Sequence, residues 1–339
     1  MKGFQNKQYT ENQLPKVSVI VPIYGVEKYI ERCAVSLMEQ TLDGIEYIFV
    51  DDATPDGSMN VLGNVLQRYT TRSGFVRIAR HEINKGLPAA RNTGLVLASG
   101  EYVFHCDSDD YLEPEMLEKM YVAAKENDAD FVWCDWYLTF GHKERYMKEP
   151  DFTEPTGYLK AMLAGCAKYN VWNKLVRKRI YNEYSVMFPE GHSMGEDMTM
   201  ICLAACSSKV VHEPAPLYHY VKREGEAFTN SLSPSKLSDI KYNVNNTVTF
   251  LERMFKDCLS EDIAFFKLST KYPFLISADP EMYRLWNEWY PEANDFIWKN
   301  PQASFRRKIL ETAAGRRMYI VLKLYYRMVY SFIYGVVYR

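Results

Sequence analysis

The sequence predicts an α/β fold: a doubly wound, mostly parallel sheet with a helical C-terminal extension. Three observations predict it. Short β-branched runs alternate with helix-spaced apolar positions, through short connections, from residue 17 to residue 124. Acidic clusters close two of those runs, at Asp51-Asp52 and at Asp107-Ser108-Asp109-Asp110. The 339 residues are 47% hydrophobic and 25% charged, the balance of one large globular domain or two of ordinary size.

Each element follows from local chemistry. Val17–Val21 is a β-branched run closed by Pro22 and reads as a buried strand. Val26, Ile30, Cys33, Ala34 and Leu37 then recur at helical spacing, and Ile45–Val50 is the second strand. Val61, Leu62, Val65, Leu66 and Tyr69 mark the next helix, and Phe75–Ala79 the next strand. Leu87–Ala98 reads as a helix stopped by Gly100. Glu101–Cys106 is the fourth strand, and Pro114 suits the first turn of a helix through Ala124. Beyond residue 130 the order loosens. Ala129–Thr139 is an aromatic-rich strand, Gly141–Pro155 a charged loop, and 158–206 mostly helical. Val210–Val221 is a strand containing prolines, and 235–339 reads as helical and aromatic.

A net charge of −2 excludes a generally basic nucleic-acid binder. The charge is uneven: residues 301–339 hold eight basic residues against one acid, Glu311, a net of +7. The N-terminal sixteen residues are polar and do not read as a secretory signal. Seven cysteines without a C-x-x-C pair read as reduced thiols of a cytosolic protein.

Ligands of open parallel sheets bind beyond the carboxyl ends of the strands, where both acidic clusters fall. Four residues holding three carboxylates repel one another unless a divalent cation sits among them, and carboxylate oxygens suit Mg²⁺ or Mn²⁺. A solvated acidic turn is the alternative. The turn Pro22-Ile23-Tyr24-Gly25-Val26-Glu27 has a single glycine, and no G-x-x-x-x-G-K-[ST] occurs, which excludes dinucleotide and Walker-type phosphate binding. A further pair, Glu196-Asp197, opens a helix. It complements the helix dipole or provides a general base.

VSVIVPIYGVEKYIERCAVSLMEQTL, FVDDATPDGS, NKGLPAARNTGLVLASGEYVFHCDSDDYL, YNVWNKLVRK and FPEGHSMGEDM, in that order over residues 16–230, resemble the bacterial family 2 glycosyltransferases of the GT-A fold. The resemblance implies transfer of a sugar, as a hexosyl or N-acetylhexosaminyl group, from a nucleotide donor, usually a UDP-sugar, with inversion. It implies that Asp109 ligates Mg²⁺ or Mn²⁺ and that Asp107 contacts the ribose or the ion. Asp52 then accepts a hydrogen bond from the uracil N–H, while Pro22, Tyr24 and Glu27 line base and ribose. Arg91 approaches the base or the diphosphate. Asp197 of the Glu196-Asp197 pair becomes the catalytic base. The sequence departs from the family at Gly25, often Asn there, at Ala53-Thr54-Pro55, and at His105-Cys106, where an apolar pair is usual. After Tyr218-His219-Tyr220 the expected Arg is delayed, so Lys222 or Arg223 takes the diphosphate clamp. His219 is a further candidate ligand of the ion, with a structural role as the alternative. Trp172 either stacks on a sugar or packs in the core.

The expected organisation is a tail at 1–15, a GT-A domain at 16–230 (a nucleotide-sugar half to 112, an acceptor half from 113) and a helical region at 231–339. The expected function is assembly of a capsular or other surface glycan on a polyprenyl-linked or glycan acceptor. A sugar-nucleotide nucleotidyltransferase is disfavoured because it needs a Gly-rich basic loop after the first strand, and a silent sugar-binding scaffold because Asp107, Asp109 and Asp197 are all present. Residues 316–338 read as a helix with Arg316, Lys323, Arg327 and Ser331 on one stripe, lying either in an anionic inner membrane surface or against the protein's own surface.

Overall fold

The computed structural model describes residues 14–141, 143–222, 233–277 and 279–329. The chain divides into two compact units, Met1–Tyr158 with Tyr169–Asn243, and Leu159–Lys168 with Val244–Arg339.

The first unit is built on one nine-stranded sheet. Its strands are β1 (Val17–Ile23), β2 (Ile45–Asp51), β3 (Val76–Arg80), β4 (Tyr102–His105), β5 (Tyr111–Leu112), β6 (Phe131–Phe140), β7 (Lys143–Met147), β8 (Lys174–Arg177) and β9 (Val210–Val221). They run in the order β3-β2-β1-β4-β8-β6-β9-β5, with β7 on β6. The β3-β2-β1-β4 half is wholly parallel, as expected of strands joined by helices. β6 and β9 are also parallel, whereas β8 runs antiparallel to both β4 and β6. Every residue of β1 is buried, because it is covered on both faces and paired on both edges. The register of β6 on β9 slips at Asp135, opposite the Pro214–Pro216 stretch, where proline cannot donate to the ladder.

Two strands differ from expectation. β7 lies inside the stretch read as a charged loop, and its charges are those of an exposed edge strand. β8 lies inside the stretch read as helical; four residues are too few to show a period of two. The C-terminal stripe also differs. The helix Phe305–Gly315 ends at Arg316, Arg317 has a positive φ of 56°, and a new helix starts at Tyr319, so Arg316 does not share a helix with Lys323. Ser331 lies outside the described residues.

The parallel half sets the carboxyl ends of β1, β2 and β4 side by side. The helix Leu87–Leu97 lies on β1 and β2 and starts after Gly86, whose φ of +88° favours glycine. Its packing depends on Gly94: a Cβ there would come 2.3 Å from Cγ2 of Ile20 in the buried β1. Gly94→Ala gains about 1 kcal/mol of helix propensity but forces an overlap costing about 1–3 kcal/mol. Urea unfolding should therefore show a net loss of up to about 2 kcal/mol, and a stabilised variant would contradict this packing.

Candidate active site

The acidic cluster after β4 alternates. Asp107 and Asp109 are partly exposed, while Ser108 and Asp110 turn inward. Asp110 is fixed by two donors, the Tyr218 hydroxyl at 2.8 Å and the Val221 N–H at 2.7 Å. The Asp107 N–H in turn donates to the Tyr218 oxygen at 3.2 Å. The end of β9 is thus latched to the loop that presents Asp107 and Asp109. Arg32 lies over the Tyr111 ring at 4.3 Å and donates to the Asp109 carbonyl at 3.4 Å.

Arg91 is the buried charge at the centre of the site. Its Nη2 donates to Asp107 Oδ1 at 2.8 Å and lies 4.0 Å from Glu196 Oε1. Its Nε and Nη1 are buried without a hydrogen-bond partner. Burial alone would lower its pKa; the carboxylates of Asp107, Glu196 and Asp197 outweigh burial and hold it above the ordinary value. The reciprocal effect is smaller. Burial pushes Glu196 up to about 8, and Asp197 adds to this while Arg91 opposes it. Burial pushes Asp197 up to about 6, with Arg91 and Lys174 opposing and Asp107 reinforcing. Lys174, itself lowered to about 8 by burial, was passed over in the sequence reading. Its only signal was the Trp172-Asn173-Lys174 run.

The loop leading to Glu196 is held by the residue next to Arg91. Asn92 donates to the Phe188 carbonyl at 2.9 Å and accepts from the Phe188 N–H at 2.9 Å, and it reaches Glu190 at 3.0 Å. On the opposite side, Asp52 is only 3% exposed. It accepts from the N–H groups of Lys85 and Gly86 at 2.8 Å each, and pairs with His81 at 2.6 Å. His81 also meets Thr93 at 2.8 Å. Asp52 therefore supports the start of the Arg91 helix and does not face outward as a base acceptor. Beside it lies a cleft of about 460 Å³ lined by Ala53, Thr54, Arg80, His81 and Glu82.

The remaining expected residues scatter in role. Tyr24 is 50% exposed at the end of β1, and Pro22 is buried in the strand. Glu27 accepts from the Gly57 N–H at 3.1 Å, just before the helix Ser58–Arg68. Lys222 is exposed just past β9, and Arg223 lies outside the described residues. Trp172 is buried, stacked on Tyr218 and Tyr220, which gives it a packing role. His219 is not aimed at the acidic cluster. Its nitrogens meet Glu144 and Glu113 at 2.8 Å each, so both are spent and the metal role is withdrawn.

Among the described residues no three His, Cys, Asp or Glu side chains form a metal cage. The carboxylates of Asp107 and Asp109 are the hard oxygen donors that Mg²⁺ or Mn²⁺ would take. Asp107 Oδ1 is committed to Arg91, so Asp107 has one oxygen left to offer.

A mostly parallel sheet with an acidic cluster at its strand ends, beside a Glu-Asp pair, is the architecture of a GT-A type of transferase domain. The chain belongs to the glycosyl transferase family 2, whose profile matches residues 18–191. It is 34% identical over 194 residues to the uncharacterized glycosyltransferase EpsJ of Bacillus subtilis, an alignment covering 54% of each chain. It is 30% identical over 255 residues to the glycosyltransferase GlyG of Streptococcus pneumoniae, covering 72% of this chain and 80% of that one. The chain thus spans about half the length of EpsJ. The fold matches the crystal structure of Staphylococcus aureus TarS 1-349 in complex with UDP-GlcNAc, at a TM-score of 0.66 and 20% identity over 92% of each chain.

The raised carboxyl groups predict how stability varies with pH. Between about pH 4.5 and 8 folded Glu196 holds a proton that the unfolded chain releases, so stability falls as pH rises across that window. Arg91→Met removes the opposing charge. It should destabilise the fold by up to about 3–5 kcal/mol and steepen the fall with pH. Denaturant unfolding at a series of pH values checks both, and an unchanged pH slope would contradict the arrangement.

Proposed function

We propose that this chain moves a sugar from a nucleotide-sugar, a UDP-sugar first among them, to a lipid-linked glycan acceptor, with inversion, in surface-glycan assembly. The observation that carries this reading is the Arg91 guanidinium buried among Asp107, Glu196 and Asp197. Asp197 is the base. With a pKa near 6 it is ionised at neutral pH and more basic than an ordinary Asp. It takes the acceptor hydroxyl proton as that oxygen bonds to the anomeric carbon. The anomeric C–O bond to the diphosphate breaks, and its electron pair leaves with the nucleoside diphosphate. Attack opposite the leaving group inverts the centre, through an oxocarbenium-like transition state that needs no covalent intermediate.

Asp107 and Asp109 would hold Mg²⁺ or Mn²⁺, which supplies Lewis-acid stabilisation of the departing diphosphate. Arg91, with its Nε and Nη1 nitrogens still unpartnered, holds fixed positive charge where the leaving group gains negative charge. Lys222 provides a second, exposed cation at the rim, with Arg223 following it in sequence. The base and ribose occupy the cleft lined by Ala53, Thr54, Arg80, His81 and Glu82. The UDP-GlcNAc complex of TarS supports a UDP-sugar donor. A lipid-linked acceptor places the work at the inner face of the cytoplasmic membrane.

Asp197→Asn should retain UDP binding and lose turnover by roughly 10²-fold or more. In the unaltered enzyme kcat/KM should rise with pH through about 6, as Asp197 loses its proton. Asp109→Ala should stay folded and lose Mn²⁺-dependent UDP binding, read by calorimetry. Near-normal turnover of Asp197→Asn removes it from the mechanism, and metal-dependent binding that survives in Asp109→Ala removes Asp109.

A further inference from the structure

The end of the second unit exposes an amphipathic surface that its own fold does not use. The helix Phe305–Gly315 is capped by Ser304, whose hydroxyl accepts from the Arg307 N–H at 3.2 Å. Leu310, Ala313 and Ala314 of this helix are buried, as is Leu322 of the helix Tyr319–Tyr325. Other apolar side chains face water: Ile320 is 75% exposed, Phe305 70% and Met328, just past the second helix, 63%, with Leu324 and Ile309 also exposed. Phe305, Ile309, Val321, Leu324 and Met328 line a groove of about 410 Å³. Single exposed apolar residues are ordinary, but a contiguous group of this kind marks a contact surface.

The same two helices and the turn between them carry Arg306, Arg316, Arg317 and Lys323, with Arg327 just past the second helix, all exposed. Glu311, the one acid of this stretch, is buried and paired with Arg307 at 2.8 Å. Among the described residues Arg316, Arg317, Lys323 and Arg327 have no carboxylate partner. This charge pattern selects the occupant. A second copy of the chain would set these cations against identical cations, with no exposed acid on the described part of these helices to relieve them. A nucleic acid would leave the apolar groove unused. An anionic bilayer satisfies both features at once: apolar side chains enter the acyl boundary and the cations meet phosphate headgroups.

We infer that this groove and its basic rim are a docking surface for an anionic lipid bilayer. The inference deepens the lipid-linked reading above, yet vesicle binding needs neither donor nor acceptor, so the two can fail separately. Trp298 provides a built-in reporter. It is the exposed member of six tryptophans, lies edge-on to Phe305 at 6.1 Å, and bonds to Thr312 at 3.1 Å.

The full chain is mixed with vesicles of equal parts phosphatidylglycerol and phosphatidylcholine, and with vesicles of phosphatidylcholine alone. It should bind the first far more tightly, and brominated acyl chains should quench Trp298. Lys323→Gln with Arg327→Gln should lower the partition coefficient on the anionic vesicles about 30-fold, each cation counting for about fivefold. Ile320→Ser with Leu324→Ser should abolish quenching while far-UV circular dichroism and UDP binding are unchanged. Failure to bind anionic vesicles overturns the inference, as does binding that both double variants leave intact. A dimer in sedimentation that dissolves in Ile320→Ser with Leu324→Ser also overturns it, by making the groove an interface between copies.

Discussion

The site depends on keeping one guanidinium buried among carboxylates. A lone buried cation is costly, and so is a lone buried carboxylate, so each is tolerable only while the other is held in place. The fold holds Arg91 from three directions. Gly94 lets its helix lie close on Ile20 of β1. Asp52 grips the two N–H groups before the helix and, through His81, reaches Thr93 within it. Asn92 ties the same helix to Phe188, at the head of the loop that ends in Glu196-Asp197. The residues flanking Arg91 thereby position the two acid groups around it.

This arrangement connects charge to chemistry. Burial raises both carboxyl groups of the Glu196-Asp197 pair, and Arg91 lowers both. The Asp197 charge raises Glu196 further, so Glu196 is pushed up to about 8 and Asp197 to about 6. Two adjacent acids driven to different pKa values mark separate roles in one site. Asp110, Tyr218 and Val221 form the matching support on the other side, fixing Asp107 and Asp109 from β9.

Much of this was legible in the sequence, where one signal sufficed. β1, β2 and the helix Leu87–Leu97 are long enough for periodicity to show, and an acidic cluster at a strand end is visible without coordinates. Features that rest on partners distant in sequence were not legible. His219 looks like a ligand until Glu113 and Glu144 are placed at its two nitrogens. Asp52 looks like a base acceptor until residues 81, 85 and 86 fold over it. β8 is four residues long and takes its identity from β4 and β6 on either side. The C-terminal stripe failed for a local reason: Arg317 adopts a left-handed backbone that a helical wheel does not anticipate.

The central claim is that burial, Arg91 and the Asp197 charge on Glu196 together set the two carboxyl groups apart, and carboxyl-carbon NMR of the unaltered protein tests it most directly. With Asp and Glu side chains labelled with ¹³C, and the signals assigned by Asp197→Asn and Glu196→Gln, each group is titrated in turn. The account predicts a midpoint near 6 for Asp197 and a higher one, about 8, for Glu196. Both groups titrating in the ordinary carboxylate range, at about 4, would contradict it.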